Sequence, residues 1–217
     1  MTQAQRRKYN QRSRADDVER TRRRIIDAFV ECVRELWFDE ITLGEVAKRA
    51  GVTVRTVIRH FGGKEGLVTG VAQYVAPAIS EQRTVSPGDI DAAIDRLFEN
   101  YEKDGEVALR GLAQEPRYPL LKPAVEAGRA GHRAVAAANF APWLAPLSEP
   151  QRDAVLDALV VVTDVYVWKL LRLDMGRSEA MAKQRVRALV EAVLTQLAGG
   201  TCPSDPRFSN DLASGLR

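Results

Sequence analysis

The chain has 217 residues, 45% hydrophobic and 28% charged, with a formal net charge of +3. These values describe an ordinary globular protein able to bury one large core, or a small domain beside a larger one. Its most apolar run, residues 154–171, is interrupted by Asp157, Asp164 and Lys169, which argues against a membrane span, and no apolar run follows the basic N-terminus, so no secretory signal is read. Cys32 and Cys202 stand alone, without the paired spacing of a disulfide framework or a zinc site. The expectation is a cytoplasmic protein with no membrane contact, no metal and no cofactor.

The charge is unevenly placed. Residues 1–64 hold 15 Lys/Arg against 9 Asp/Glu, whereas the remainder holds 17 against 20. An anion-binding module attached to a near-neutral body has this distribution, and so does a solvated basic tail.

Helical periodicity dominates the chain and no alternating strand pattern stands out. Residues 1–16 form a basic arm, expected to be flexible, with Arg6, Arg7, Lys8, Arg12 and Arg14 and no acid between them. Such an arm can lie along phosphates or simply stay solvated. A first helix is expected over 17–37, with Ile25, Phe29, Cys32 and Leu36 on one stripe and Ile26, Val33 and Trp37 beside it. "TLGE" at 42–45 has capping-box spacing, with the Thr42 hydroxyl accepting from the Glu45 amide and the Glu45 carboxylate reaching back. The short helix it opens ends at Gly51. Thr53 then caps a third helix over 54–61, closed by Gly62 and Gly63.

That third helix lies in an unusual stretch. Residues 46–64 contain Lys48, Arg49, Arg55, Arg59 and Lys64 and no carboxylate. At about 100° per residue, Val54, Val57, Ile58 and Phe61 gather on one side, and Arg55, Thr56, Arg59 and His60 on the other. A short helix whose outer face holds only donors and cations suits the DNA major groove, and two short helices joined by a Gly-containing turn are a helix-turn-helix arrangement. A solvated polar helix face is the plainer explanation of the same pattern.

Residues 64–76 continue as a weak helix, with Gly66 and Gly70 inside it and Pro77 forcing an end or a kink. The glycines either make this segment a hinge or permit close packing on the first helix. "SPGD" at 86–89 starts a helix, with Ser86 as cap, Pro87 at the first helical position and Asp89 in the first turn, ending near 104–105. Residues 106–141 read as one or two helices broken around 116–119. "SEPQ" at 148–151 opens a long helix to residue 175, and the last helix spans 178–198. Residues 201–217, with two prolines and little apolar content, are expected to be a disordered tail.

The segment "ITLGEVAKRAGVTVRTVIRHFGGKEGL", residues 41–67, resembles the DNA-binding domain of the tetracycline-repressor (TetR) family of transcriptional regulators. The resemblance covers about residues 18–70; beyond it only the all-helical architecture agrees. It implies an all-α fold: a three-helix helix-turn-helix DNA-binding domain at 17–64, then a helical ligand-binding and dimerisation domain at 65–200. It makes Thr42 and Lys64 phosphate contacts, Thr53 a cap that also touches phosphate, and Val54, Arg55, Thr56, Arg59 and His60 the positions that meet base edges or adjoining backbone. Where the family often has a small residue this chain has Arg55, and Ile58 replaces a phosphate-touching Tyr. Val54 stands where the family is usually polar. Val54 and Ile58 therefore either belong to the core or offer methyl groups to thymine.

The resemblance further implies a homodimer formed through the last two helices, and a pocket for a small-molecule effector. The helix over 151–175 is apolar nearly all round, and Val155, Leu159, Val162, Leu189 and Val193 are the expected interface. Tyr101, Arg110, Tyr118, Trp143, Asp164 and Trp168 are the expected pocket residues; Tyr166 is a further candidate, and His132 reads as a surface histidine. The implied function is a repressor released by a small molecule from a (pseudo)palindromic double-stranded operator. A second reading is a dimeric DNA-binding module without such a ligand, architectural or controlled by a protein partner. The chain carries no phosphate loop, zinc-protease pair or nucleophile-elbow serine, so an enzyme is not expected.

Overall fold

The computed structural model describes residues 3–197, with side chains over 16–196; the expected tail at 201–217 lies outside the described residues. Helices account for the fold and no strand occurs among the described residues. Among the described residues no helix is long and apolar enough to cross a membrane. Contacts divide the chain into two compact units: residues up to 76 with 110–127, and residues 77–109 with 128 onward. This differs from a linear division after residue 64.

Unit 1 begins with α1 (Gln3–Glu35). The segment expected as a flexible arm is therefore the start of this helix, for a local reason: residues 3–16 contain no Gly or Pro, and their Gln, Arg, Lys and Ala are favourable helix formers. α1 stops at Glu35, two residues before Trp37, which is exposed. There the Glu40 amide donates to the Trp37 carbonyl at 3.0 Å, and the Trp37 amide donates to the Glu40 carboxylate at 2.8 Å. Phe38 takes the buried place instead. α2 (Leu43–Arg49), α3 (Val54–Phe61) and α4 (Lys64–Gly70) follow. Their inward residues join Ile25, Ile26, Phe29 and Cys32 of α1 in one core, which also takes in Leu121.

After α4 the chain widens into a π-helical turn, Val71–Val75, and continues as α5 (Ala76–Arg83). Pro77 thus ends nothing. It has no amide hydrogen to donate back into the helix, and the wide turn immediately upstream absorbs the missing bond.

Unit 2 contains most of α6 (Ile90–Gln114) and α7 (Lys122–Asn139), with α8 (Ala141–Leu144), α9 (Glu149–Val162), α10 (Val165–Lys169), a π-helical turn Leu170–Asp174, and α11 (Glu179–Leu197). α6 is capped by Asp89, whose carboxylate accepts from the Ala92 amide at 2.9 Å, not by Ser86, because Gly88 turns with φ +95° between them. α6 also runs through the expected stop at 104–105. A Cβ on Gly105 would come within 2.7 Å of the Trp168 ring, so this glycine makes room for an indole. The long helix expected over 151–175 is broken at Thr163. There Asp164 takes an extended conformation and accepts from the Tyr166 amide at 2.9 Å, capping α10; a short acidic side chain competes well for such a position.

The face of α9 toward α11 is buried. Val155 is 1% exposed and Leu159 0%, so both are already covered inside unit 2 and are unavailable to a partner, contrary to the apolar pattern taken alone. Val162 and Val193 are half-buried, and Leu189 is exposed, as are Val161 and Met181.

The glycines of α4 sit at close contacts. A Cβ on Gly66 would collide with the Phe61 carbonyl group, whereas one on Gly70 would meet the tip of Ile26 and the Phe61 ring. Close packing thus accounts for both without a hinge. Helix propensity alone favours alanine by about 1 kcal/mol at each site. The collision at Gly66 is with backbone, and we expect Gly66→Ala to destabilise by about 1–3 kcal/mol, while Gly70→Ala costs less because the Ile26 tip can turn aside. Urea unfolding midpoints at unchanged slope measure both; a stabilised Gly66→Ala protein would refute the packing account.

Candidate nucleic-acid interface and the unit 2 cavity

An eight-residue helix is not stable alone, so α3 owes its position to its inner face. Val57 is completely buried and Phe61 nearly so. On the other side, Val54 is 41% exposed and Ile58 47%, beside exposed Arg55 and Arg59. The apolar stripe of α3 is wider than the core that receives it. Ile58 sits roughly 80° around the axis from the middle of the Val57–Phe61 pair and stays in solvent.

Both ends of α3 are fixed. The Thr53 hydroxyl accepts from the Thr56 amide at 3.2 Å, and the two threonine hydroxyls lie 3.0 Å apart. Gly62 leaves the helix at φ +74°, a left-handed conformation glycine adopts without cost. Arg22 of α1 donates to the His60 carbonyl at 2.9 Å, with its guanidinium 4.7 Å from the Phe61 ring centre. A cation at a helix C-terminus is favourably placed.

At α2 only half of the expected capping box forms. The Thr42 hydroxyl accepts from the Glu45 amide at 3.1 Å, but the Glu45 carboxylate accepts from Arg49 at 2.8 Å. Arg49 also donates to Glu35 at 2.7 Å. That hydrogen bond from Arg49 holds the Glu45 carboxyl below its ordinary range. One of the five cations in the acid-free stretch is therefore neutralised by acids outside it.

Lys64 is half-buried. Its ammonium donates to the Phe38 carbonyl at 2.9 Å and lies 4.8 Å from the centre of that ring. Burial pushes its pKa down, with the Asp39 charge opposing. Two of its three N–H groups remain for an anion. His60 is half-buried, and burial, then Arg59, then Arg22 press its pKa below the ordinary imidazole value, so it brings a hydrogen-bonding ring and no charge at neutral pH. The outward chemistry of α2 and α3 is thus Lys48, Arg55 and Arg59 as exposed cations, the methyls of Val54 and Ile58, and the hydroxyls of Thr42 and Thr53. Cations and hydroxyls suit phosphate oxygens and purine acceptors, and methyls suit the thymine methyl. Sequence reasoning missed Arg22, 38 residues from its acceptor, and passed over Lys48, whose one signal was its place in the acid-free run.

The expected pocket residues divide between the two units. Arg110 and Tyr118 belong to unit 1, where Arg110 donates to the Arg34 carbonyl and Tyr118 packs 5.4 Å from Phe38. In unit 2 the Trp168 indole donates to Glu102 at 2.8 Å, Trp143 packs on Phe140, and Asp164 is the cap of α10. Tyr101 is closest to the expectation: its hydroxyl donates to the Thr163 carbonyl at 3.1 Å and its ring lies 5.2 Å from the Arg83 guanidinium. The unit 2 cavity, about 20 Å³ and so large enough for one water, is lined by Arg83, Ile94, Leu97, His132, Val135, Asn139, Phe140 and Thr163 among others.

His132 is half-buried against that cavity and is not a surface residue. Arg83 Nη2 lies 2.8 Å from His132 Nδ1. Because arginine can only donate, Nδ1 is the acceptor and the proton sits on Nε2, 3.2 Å from the Val160 carbonyl and 3.3 Å from the Thr163 hydroxyl. Both ends of the Asn139 side chain are engaged: its amide donates to the Arg83 carbonyl and its carbonyl oxygen accepts from the Val85 amide, both at 3.0 Å.

Residues 25–71 match the profile of the bacterial regulatory proteins of the tetR family. The transcriptional regulator BetI 1 of Chromohalobacter salexigens is 30% identical over 100 residues, 42% of this chain and 50% of that protein; the match therefore spans half of that relative. BetI of Escherichia coli is 23% identical over 196 residues, 88% of this chain and 89% of its own length. A putative transcriptional regulator from Pseudomonas aeruginosa PAO1 has the same fold, with a TM-score of 0.64 at 14% identity over 88% of this chain and 95% of that one. A transcriptional regulator from Rhodococcus sp. Rha1 gives 0.63 at 17% identity over 80% and 96%.

The His132 ring has a pKa below its ordinary value, from burial first and then the Arg83 charge, with the Val160 hydrogen bond and the Asp164 charge opposing. The unfolded chain thus binds a proton near pH 6.5 that the folded one refuses. Stability conferred by the neutral ring is complete above that pH and falls as pH drops toward the depressed folded value, by at most about 1.4 kcal/mol per pH unit. Thermal unfolding between pH 7.5 and 5.5, set against His132→Gln, should show a shallower loss in the variant, with the remainder due to His60.

Proposed function

For a chain that belongs to the tetR family of bacterial regulatory proteins, DNA-binding regulators of transcription, we propose action as a homodimeric repressor released from its operator by a small molecule. The observation that carries the DNA-binding part is the division of α3: Val57 and Phe61 are buried, while Arg55, Arg59, Val54 and Ile58 face solvent together. In this reading Arg55 and Arg59 meet guanine or phosphate, and Val54 and Ile58 meet thymine methyls. Thr42, Thr53 and Lys64 set the register on phosphate, with Thr56 and His60 at the margin. Two copies, with reading helices about 34–36 Å apart, engage successive major grooves of a pseudo-palindromic site.

The dimer is supported by exposed apolar residues on the last helices of unit 2: Val161 on α9, with Met181 and Leu189 on α11. Release follows from linkage. A ligand that favours an arrangement unfit for DNA weakens binding by its differential affinity for the two arrangements and by no more. Selection of bound sequences from a random DNA pool, followed by a screen of small molecules for release, tests the reading as a whole. A protein that selects no sequence contradicts it.

Single substitutions separate the roles. Arg59→Ala should cost about 1–3 kcal/mol on the selected site and relax discrimination at one base position. Lys64→Ala should weaken binding to all sequences alike and lower the salt slope by about one. Equal losses on selected and random DNA for Arg59→Ala would remove it from the reading role. Leu189→Asp places a charge on the apolar face while sparing the core, and sedimentation should then show monomer with weakened operator binding. Wild-type protein that sediments as a monomer at micromolar concentration contradicts the dimer.

A further inference from the structure

Arg83 is the unexplained charge of unit 2. It is 8% exposed, on the last residue of α5, and it lines the cavity. A guanidinium cannot discharge itself by losing a proton, so burial requires that its charge be met. Although the Asp164 charge reaches the cluster and acts on His132 and Tyr101, no carboxylate among the described residues forms an ion pair with Arg83. Its acceptor is the neutral Nδ1 of His132, and the Tyr101 ring covers it at 5.2 Å. Both interactions are weaker than an ion pair, and Nε–H is buried with no acceptor among the described residues. The other polar groups of the wall are occupied: Asn139 by the chain at 83–85, and the Thr163 hydroxyl by the Leu159 carbonyl at 2.7 Å. The wall is otherwise apolar, with Ile94, Leu97, Val135 and Phe140. A buried cation without an ion-pair partner among the described residues, in a small and mostly apolar chamber, is the complement of one negative charge on a short hydrocarbon.

We propose that the unit 2 cavity is a binding site for a short aliphatic monocarboxylate, whose carboxylate accepts from Arg83 Nε–H and neutralises the guanidinium while its alkyl tail lies against Ile94, Leu97 and Phe140. The regulatory part of this assignment rests on the reading that unit 2 carries the effector site; the binding itself does not. The chamber holds only a water-sized volume, so even a four-carbon acid enters only if the chain parts around its tail, and each added carbon requires more parting. A longer acid is therefore disfavoured by volume. An amine of the same length is excluded by charge, since it would place a second cation beside Arg83.

Titration calorimetry of the full chain with butyrate, butylamine and chloride tests the assignment without DNA. Butyrate should bind, butylamine should not, and chloride should bind at least tenfold more weakly because it leaves the apolar wall unfilled. Arg83→Met should reduce butyrate affinity at least tenfold, and Arg83→Lys should recover part of it. Butyrate binding equally well to wild type and Arg83→Met overturns the site. If Arg83→Met does not fold, the wild-type contrast decides: equal binding of butyrate and butylamine, or none of butyrate, overturns it. Chloride as tight as butyrate reduces the site to a general anion site and overturns the carboxylate assignment. Operator release is then measured separately. Butyrate that binds through Arg83 without releasing DNA sustains the site and contradicts the release reading; release by another compound in a protein that does not bind butyrate does the reverse.

Discussion

What unit 1 presents to solvent depends on the burial of two side chains, Val57 and Phe61, from one edge of an eight-residue helix. Helix nucleation is unfavourable enough that such a segment has little structure alone, and each buried side chain of this size contributes only about 1.5–3 kcal/mol. The remaining definition comes from the ends. Thr53 closes the N-terminus, and Gly62 with Arg22 closes the C-terminus. Gly66 then lets α4 approach the carbonyl of Phe61, and Lys64 ties the start of α4 to Phe38. The exposed cations and methyls of α3 are therefore held by a core to which they do not belong.

Unit 2 meets the opposite problem, a charge held inward. Asn139 pins the chain between α5 and α6 through contacts with Arg83, Val85 and Gly88, and the ring of Tyr101 and the imidazole of His132 flank the guanidinium. The His132 tautomer follows from this arrangement, because a donor-only neighbour leaves Nδ1 no role but acceptor. The surrounding helices remain ordinary, with α6 and α11 joined by exposed ion pairs such as Lys183–Asp95 at 3.0 Å. Such pairs contribute little to stability. The polar cluster around Arg83 is accordingly a feature of the chamber, and scaffold stability rests on apolar burial.

Features fixed by neighbours in sequence were legible before any coordinates. Thr42 and Thr53 as caps, Gly51 and Gly62 as left-handed stops, and the acid-free run at 46–64 each involve groups within a few residues of one another. The capping box at Glu45 misled because the Glu45 carboxylate accepts instead from Arg49, one turn on, which also donates to Glu35. The expected arm at 1–16 misled through its charge, although its residues favour a helix. Asp164 suggested a pocket because it interrupts an apolar run; it interrupts that run to cap a helix.

By itself the sequence determined an all-helical chain, the boundaries of α2 and α3, and a cationic outward face, because helix propensity, capping and amphipathic spacing act within one or two turns. Only the tertiary structure decided which side of the α3 stripe is buried, that Val155 and Leu159 are spent inside unit 2, and that Arg83 meets His132 across 49 residues of sequence. Those outcomes depend on which surfaces the packing of distant helices covers. Periodicity records that a residue is apolar or charged, but not which neighbour reaches it, so burial and partner choice are properties of the assembled helices.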